Sequence, residues 1–121
     1  MSALTVTRGE GRFAVTARME RCGSDLLLLV TGGETPHVGA SALAQYEPAR
    51  DSATVSSLCA YGHRDDAVAV RFAKAASAAG KCSAAAVAGI HVDDAGPEEL
   101  KKLMENCEAC LAELLERIGE V

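Results

Sequence analysis

All three histidines of this 121-residue chain sit beside a glycine at the edge of an apolar segment. They occur in Pro36-His37-Val38-Gly39-Ala40, in Gly62-His63-Arg64-Asp65-Asp66 and in Gly89-Ile90-His91-Val92-Asp93-Asp94. An imidazole titrates near neutral pH, so it can donate, accept, move a proton or bind a metal. A glycine beside it lets a ligand or another backbone come close. His91 follows an apolar run, which holds it on a rigid strand end. Arg64 adds a cation at a strand-to-helix junction, where free N–H groups favour an anion. Asp65 and Asp66 can satisfy that helix end themselves, so capping accounts for them. Asp93 and Asp94 brace the turn before Pro97 in a similar way. Upstream, Gly32 and Gly33 offer backbone N–H groups as a small anion-binding nest.

Three histidines near carboxylates are also compatible with a zinc, manganese or iron site, provided His37, His63 and His91 converge in space. Their spacing contains no His-Glu-x-x-His signature. Cys107-Glu108-Ala109-Cys110 spells C-x-x-C, but both thiols fall on the apolar stripe of a helix, where cysteine behaves as a small hydrophobe. Neither a Gly-x-Ser-x-Gly elbow nor a Gly-Lys-Ser/Thr phosphate loop is present. No catalytic set is assigned, and a binding protein is expected rather than an enzyme.

These motifs need elements to carry them. Alternation over 12–20 gives a half-buried strand, with a shorter one over 4–8 before it and turns at 9–11 and 22–25. The continuous run 26–30 predicts a central strand buried on both faces. Residues 37–44 read as a further strand, 45–52 as a polar loop, and 53–61 as a strand ending at Gly62. A helix begins at Asp65 and Asp66 and ends with Gly80 as its left-handed cap. The small apolar run 82–90 reads as a fully buried strand. A second helix starts at Pro97, with Leu100, Leu103, Met104, Cys107, Cys110, Leu111, Leu114, Leu115 and Ile118 on its apolar face. The expected fold is a single α+β domain over 1–121, in βββββαβα order, with an antiparallel sheet of five to six strands and two helices.

Composition narrows the function classes. A net charge of −5 with scattered basic residues argues against nucleic-acid binding. The apolar runs fall far short of the roughly 18 residues that suggest a membrane span. Residues 1–5 lack the basic and apolar regions of a signal peptide, and the five cysteines are an odd count, so a cytoplasmic protein with reduced thiols is expected. Small residues in the sheet leave edges and faces to cover, which points to a homodimer.

Taken together, Gly32-Gly33-Glu34 and the three histidine motifs resemble the ordered motifs of the LpdD-like family, small accessory subunits associated with gallate decarboxylase. The similarity runs from Gly32 to the last helix; Asp94 departs from the Asp-Asn that more often closes the family's last motif. The resemblance implies an accessory protein or chaperone that binds prenylated FMN, or FMN, for a decarboxylase acting on aromatic acids. It supplies a reason for the glycine-histidine junctions. Gly39 and Gly89 would form a slot for the ring, Gly32, Gly33 and Arg64 would receive the phosphate, and His37, His63, His91 and Asp93 would contact ring or phosphate. The alternatives are a small metal-dependent enzyme using His37, His63 and His91, and an interaction scaffold of the assembly-chaperone kind.

Overall fold

Apolar and polar residues alternate along the extended segments, and the structure, a computed structural model describing residues 3–60 and 65–121, uses that alternation to put all the helical mass on one side of a sheet. The strands are β1 Leu4–Arg8, β2 Val15–Cys22, β3 Asp25–Gly33, β4 Ala40–Glu47, β5 Ser52–Cys59 and β6 Ala84–His91; the helices are α1 Asp66–Gly80 and α2 Pro97–Glu116. Across the sheet the order is β1-β2-β3-β6-β4-β5. The expected α+β class and element order are both found. Every pairing is antiparallel except β3 with β6, which run parallel from Leu26↔Ala84 to Gly33↔His91.

Two halves of the core differ in composition. On the β4 and β6 side, the inward residues Ala40, Ala42, Ala44, Ala84, Ala86 and Ala88 meet Ala69, Ala73 and Ala76 of α1, all buried. Side chains this small let a helix lie close to a sheet. On the β1 and β2 side, Leu4, Val6, Val15, Ala17 and Met19 meet Leu103, Cys107, Cys110, Leu111 and Leu114 of α2. Phe72, fully buried, faces the gap between the halves, where the helices leave a cleft of about 200 Å³ bordered by Val68, Met104 and Cys107. Arg71 and Glu108 tie the helices across it, Nε to Oε2 at 3.1 Å and Nη2 to Oε1 at 3.0 Å.

Several local expectations give way. Residues 26–30 form a strand covered on one face only, since Leu27 and Leu29 are 40% and 42% exposed while Leu26, Leu28 and Val30 are buried. Five apolar residues in a row thus hide an alternation of environment that residue type does not reveal. β6 is likewise half-buried rather than fully buried, with Ala85 and Val87 facing outward. β4 starts three residues later than 37, because residues 34–39 are occupied in crossing the sheet end, and it runs through the stretch read as a loop to Glu47. The left-handed cap of α1 is Lys81 at φ 52°, one residue beyond Gly80. On α2, Leu100 and Met104 lie 50% and 44% exposed, outside the buried stripe.

Phe72 is the one aromatic ring in this core that is wholly enclosed among the described residues, and its neighbours are mostly alanines that cannot collapse into a void. Phe72→Ala should therefore destabilise the fold by about 3–5 kcal/mol, read as a lowered urea midpoint with an unchanged m-value.

Candidate functional site

The C-terminal ends of β3 and β6 lie side by side, and the chain leaves them in different directions. From β3, residues 34–39 pass over the end of β6 to reach β4 on its far side. From β6, the chain turns back to α2, which packs on β1 and β2. A divergence of this kind opens a crevice at the ends of parallel strands.

Glycines make the crossing possible. A Cβ on Gly89 would overlap the His37 carbonyl oxygen, one on Gly39 would overlap the Asp65 carboxylate, and one on Gly33 would overlap the His91 carbonyl. Gly33 also has φ 75°, a conformation that side chains rarely adopt. Gly32 would bring a Cβ within 2.6 Å of the Ala14 carbonyl oxygen. The space beside Gly39 and Gly89 is thus filled by the protein's own chain rather than left as a flat slot. The amides at the proposed anion nest are also engaged: Gly33 N–H donates to the Ala14 carbonyl at 3.1 Å and Glu34 N–H to the His91 carbonyl at 2.7 Å.

Asp65 locks this arrangement. Its position just before α1 suggests a cap, yet its side chain makes no capping hydrogen bond. Instead Oδ1 accepts from the Ile90 amide at 3.2 Å, and Oδ2 lies 3.2 Å from His37 Nε2. One carboxylate therefore joins the start of α1, the end of β6 and the crossing segment. His37 Nδ1 lies 2.9 Å from the Thr35 carbonyl, which can only accept. With both contacts made as hydrogen bonds, the ring is the imidazolium and the Asp65 pair is ionic. The two side chains are only 20% and 12% exposed, so the pair is weakly screened by solvent.

His91 belongs to a second, more open group. Its Nε2 lies 2.7 Å from Asp93 Oδ1, with the side chains 50% and 73% exposed. The Asp93 amide donates to Glu34 Oε1 at 2.8 Å. Arg12 reaches the same carboxylate at 3.2 Å and the Asp93 carbonyl at 2.6 Å. Asp94 takes φ 52°, where asparagine and aspartate are the side-chain-bearing residues best tolerated, so its departure from an Asp-Asn motif preserves the backbone requirement. The Arg12 guanidinium and the Lys102 ammonium stand 5.3 and 5.4 Å from the centre of the Phe13 ring. Beside that ring is a shallow depression of about 410 Å³, bordered also by Glu98, Glu99, Lys101 and Glu105.

His37, Gly39, Gly89, His91, Gly32, Gly33 and Asp93 are thus gathered at one end of the sheet. Gly62, His63 and Arg64 lie outside the described residues. Among the described residues, no group of three or more His, Cys, Asp and Glu is placed to hold a metal ion. Arg12, Glu34, Phe13 and the bridging role of Asp65 escaped notice in the sequence. Arg12 and Phe13 fall in a 3-10 turn, Gly11–Phe13, that the alternation from 12 onward disguised as strand.

Cysteine chemistry follows burial. Cys107 is buried and its thiol is pushed up to about 12, by desolvation first and then by Cys110 and Glu108. Cys110 is raised by burial as well, and its Sγ lies 3.4 Å from the Val15 carbonyl oxygen. Cys59 is raised by local desolvation and next by the Asp66 carboxylate. A raised pKa lowers the thiolate fraction at a given pH. Iodoacetamide at about pH 8 should therefore label exposed Cys22 readily and Cys59 slowly, leaving Cys107 and Cys110 untouched until urea unfolds the chain. Peptide mass spectrometry reads the order. For the lock itself, Asp65→Ala should cost about 2–4 kcal/mol of unfolding free energy, because it strips the Ile90 amide and His37 of their shared acceptor. Asp65→Asn, which keeps an acceptor for Ile90, should cost about half as much by the same urea titration.

Comparisons with known proteins bear on this geometry. No curated protein matches the chain. Among solved structures, the fold is similar to a chain from "Crystal Structure of a Novel Chaperone Complex for Yeast 20S Proteasome Assembly", with a TM-score of 0.59 and 14% identity over 99% of this chain and 98% of that one. At that identity the likeness concerns the fold alone. Among families, the one described as the prenylated flavin chaperone LpdD-like domain matches residues 9–119, a span that includes the crossing segment, both histidine groups and the Phe13 depression. With nearly its whole length matched, the chain belongs to the prenylated flavin chaperone LpdD-like family.

Proposed function

We propose that this protein holds prenylated FMN, or its FMN precursor, at the C-terminal ends of β3 and β6 and delivers it in the cytoplasm to a decarboxylase of aromatic acids. The observation that carries the reading is the convergence of His37 and His91 at one sheet end, with Arg12 reaching in beside them. Family membership supports the same ligand class.

The residues present suit such a group in chemistry and size. A flavin mononucleotide presents a dianionic phosphate and a ring edge of donors and acceptors. Arg12 and Lys102 supply positive charge, and two imidazoles supply donors. Arg64 and His63 follow in the segment leading to Asp65 and complete the proposed set. The depression of about 410 Å³ beside Phe13 falls within the roughly 300–1,000 Å³ of small-molecule sites and leaves an aromatic face within reach of a ring. Gly32, Gly33, Gly39 and Gly89 serve the site by letting the chain cross, which fixes where His37 and His91 stand.

When bound in its partner enzyme, the prenylated flavin supplies the electron sink for decarboxylation. This chain's part is to bind and release. His37 is anchored by Asp65 and Thr35, so it presents a fixed edge at little entropic cost on binding. His91, half exposed beside Asp93, is free to rotate toward a ligand or away from it. A shallow depression suits cargo that must be handed on, since deep enclosure would slow its departure.

Titrating the protein with FMN and with prenylated FMN, followed by flavin fluorescence and absorbance, tests the reading. Saturable binding is expected, and His91→Ala and Arg12→Ala should each weaken it by about tenfold while leaving the circular dichroism spectrum unchanged. A folded protein that binds neither flavin above background would refute the assignment.

A further inference from the structure

The face of the sheet turned away from the helices carries no covering layer among the described residues, yet its centre is apolar. Leu27 and Leu29 of β3 stand up from it, 40% and 42% exposed, and Leu43 of β4 and Leu58 of β5 are 52% and 77% exposed. Contiguous apolar surface of this kind on a small protein marks an interaction site. We infer that a second copy of this chain occupies it, related by a two-fold axis that runs along the strands above β6.

Shape is the first argument. The outward row across the sheet can be followed through the pairings Leu29↔Val87, Leu27↔Ala85, Ala85↔Leu43 and Leu43↔Ser56. On the β3 side of β6 this row forms a ridge of leucines. On the β4 and β5 side it forms a hollow of about 520 Å³ bordered by Ser41, Leu43, Ser56, Leu58 and Ala85. Ridge and hollow therefore flank the same strand on opposite sides. A two-fold axis over β6 exchanges β3 with β4, so the ridge of each copy enters the hollow of the other. An isologous contact requires this kind of self-complementarity, whereas an unrelated partner would need it only by coincidence.

Charge is the second argument. The chain carries −5 overall, and α2 presents a row of glutamates, so most ways of bringing two copies together oppose like charges. The centre of the outer face escapes this. Its charged residues are Arg18 and Glu20 of β2, already paired with each other at 3.0 Å. The proposed axis lays β2 of one copy over β5 of the other, so that Arg18 and Glu20 meet Thr54 and Ser56 rather than their own kind. The product is a sandwich of two sheets with all four helices outside, a standard way of covering two apolar faces.

This interface goes beyond the flavin reading and stands apart from it, since its readout is mass. Light scattering after gel filtration should give the full chain twice its 12.5 kDa across about a hundredfold dilution. Leu29→Glu and Leu43→Glu, each at an exposed position, should shift the mass to that of one chain with the circular dichroism spectrum retained. Met104→Glu, on the exposed side of α2, should leave the dimer intact. A native chain that is monomeric at every concentration would overturn the inference. So would a dimer that survives both leucine replacements, or one that Met104→Glu dissociates. Should Leu29→Glu not fold, Leu43→Glu on a different strand decides the same question.

Discussion

The site depends on one event in the chain, the passage of residues 34–39 over the end of β6. Two backbones can cross at that distance only where side chains are missing, and Gly89 and Gly39 provide the gap. Asp65 then closes it, accepting from the Ile90 amide and pairing with His37. Remove the crossing and β3 and β4 lose their relation to β6, His37 moves away from the strand ends, and α1 loses the anchor at its first turn. The apparent functional motifs are therefore also the mechanical fastening of the sheet. A side chain at Gly89 would strike a backbone carbonyl, which has no rotamer by which to yield.

This double duty explains why binding groups appear here without a full acid-base apparatus. Asp65 is engaged twice, Glu34 receives both Arg12 and the Asp93 amide, and Asp93 faces His91. Carboxylates committed to amides and cations are poor proton acceptors for a substrate. What the arrangement offers a ligand is a set of positioned donors: two imidazoles, a guanidinium and an ammonium around a half-exposed phenylalanine ring. Such a set recognises an anionic, planar molecule and leaves its chemistry to be done elsewhere.

The strands and helices were largely legible because their signals are local. Alternation marked β1 and β2, a proline at its first position and a spaced apolar stripe marked α2, and the clustering of histidines beside glycines located the strand ends. What escaped depended on distant residues. β6 inserts between β3 and β4, and its parallel pairing with β3 joins positions 58 residues apart, as at Leu26↔Ala84. Nothing local announces such a pairing. Hence Gly39 and Gly89 read as room for a ligand when they are room for the chain, and Asp65 read as a cap when its partners lie on other elements. Leu27 and Leu29 looked buried because residue type carries no information about whether a second layer covers that face.

The late position of β6 in the chain has a consequence for how the protein is made. The β1-β2-β3 meander and the β4–β5 hairpin are joined by short connections, so each can form from neighbouring residues at little loop-closure cost. They cannot become one sheet until the stretch ending at His91 arrives to fill the vacancy between them. Pairings across such long loops are the slow ones. During synthesis the two halves wait as separate pieces with exposed edges, and the last internal strand knits them together. Since Gly89, Ile90 and His91 come from that strand, the capacity to hold a ligand appears only at the moment the sheet is complete, and a half-made chain has none.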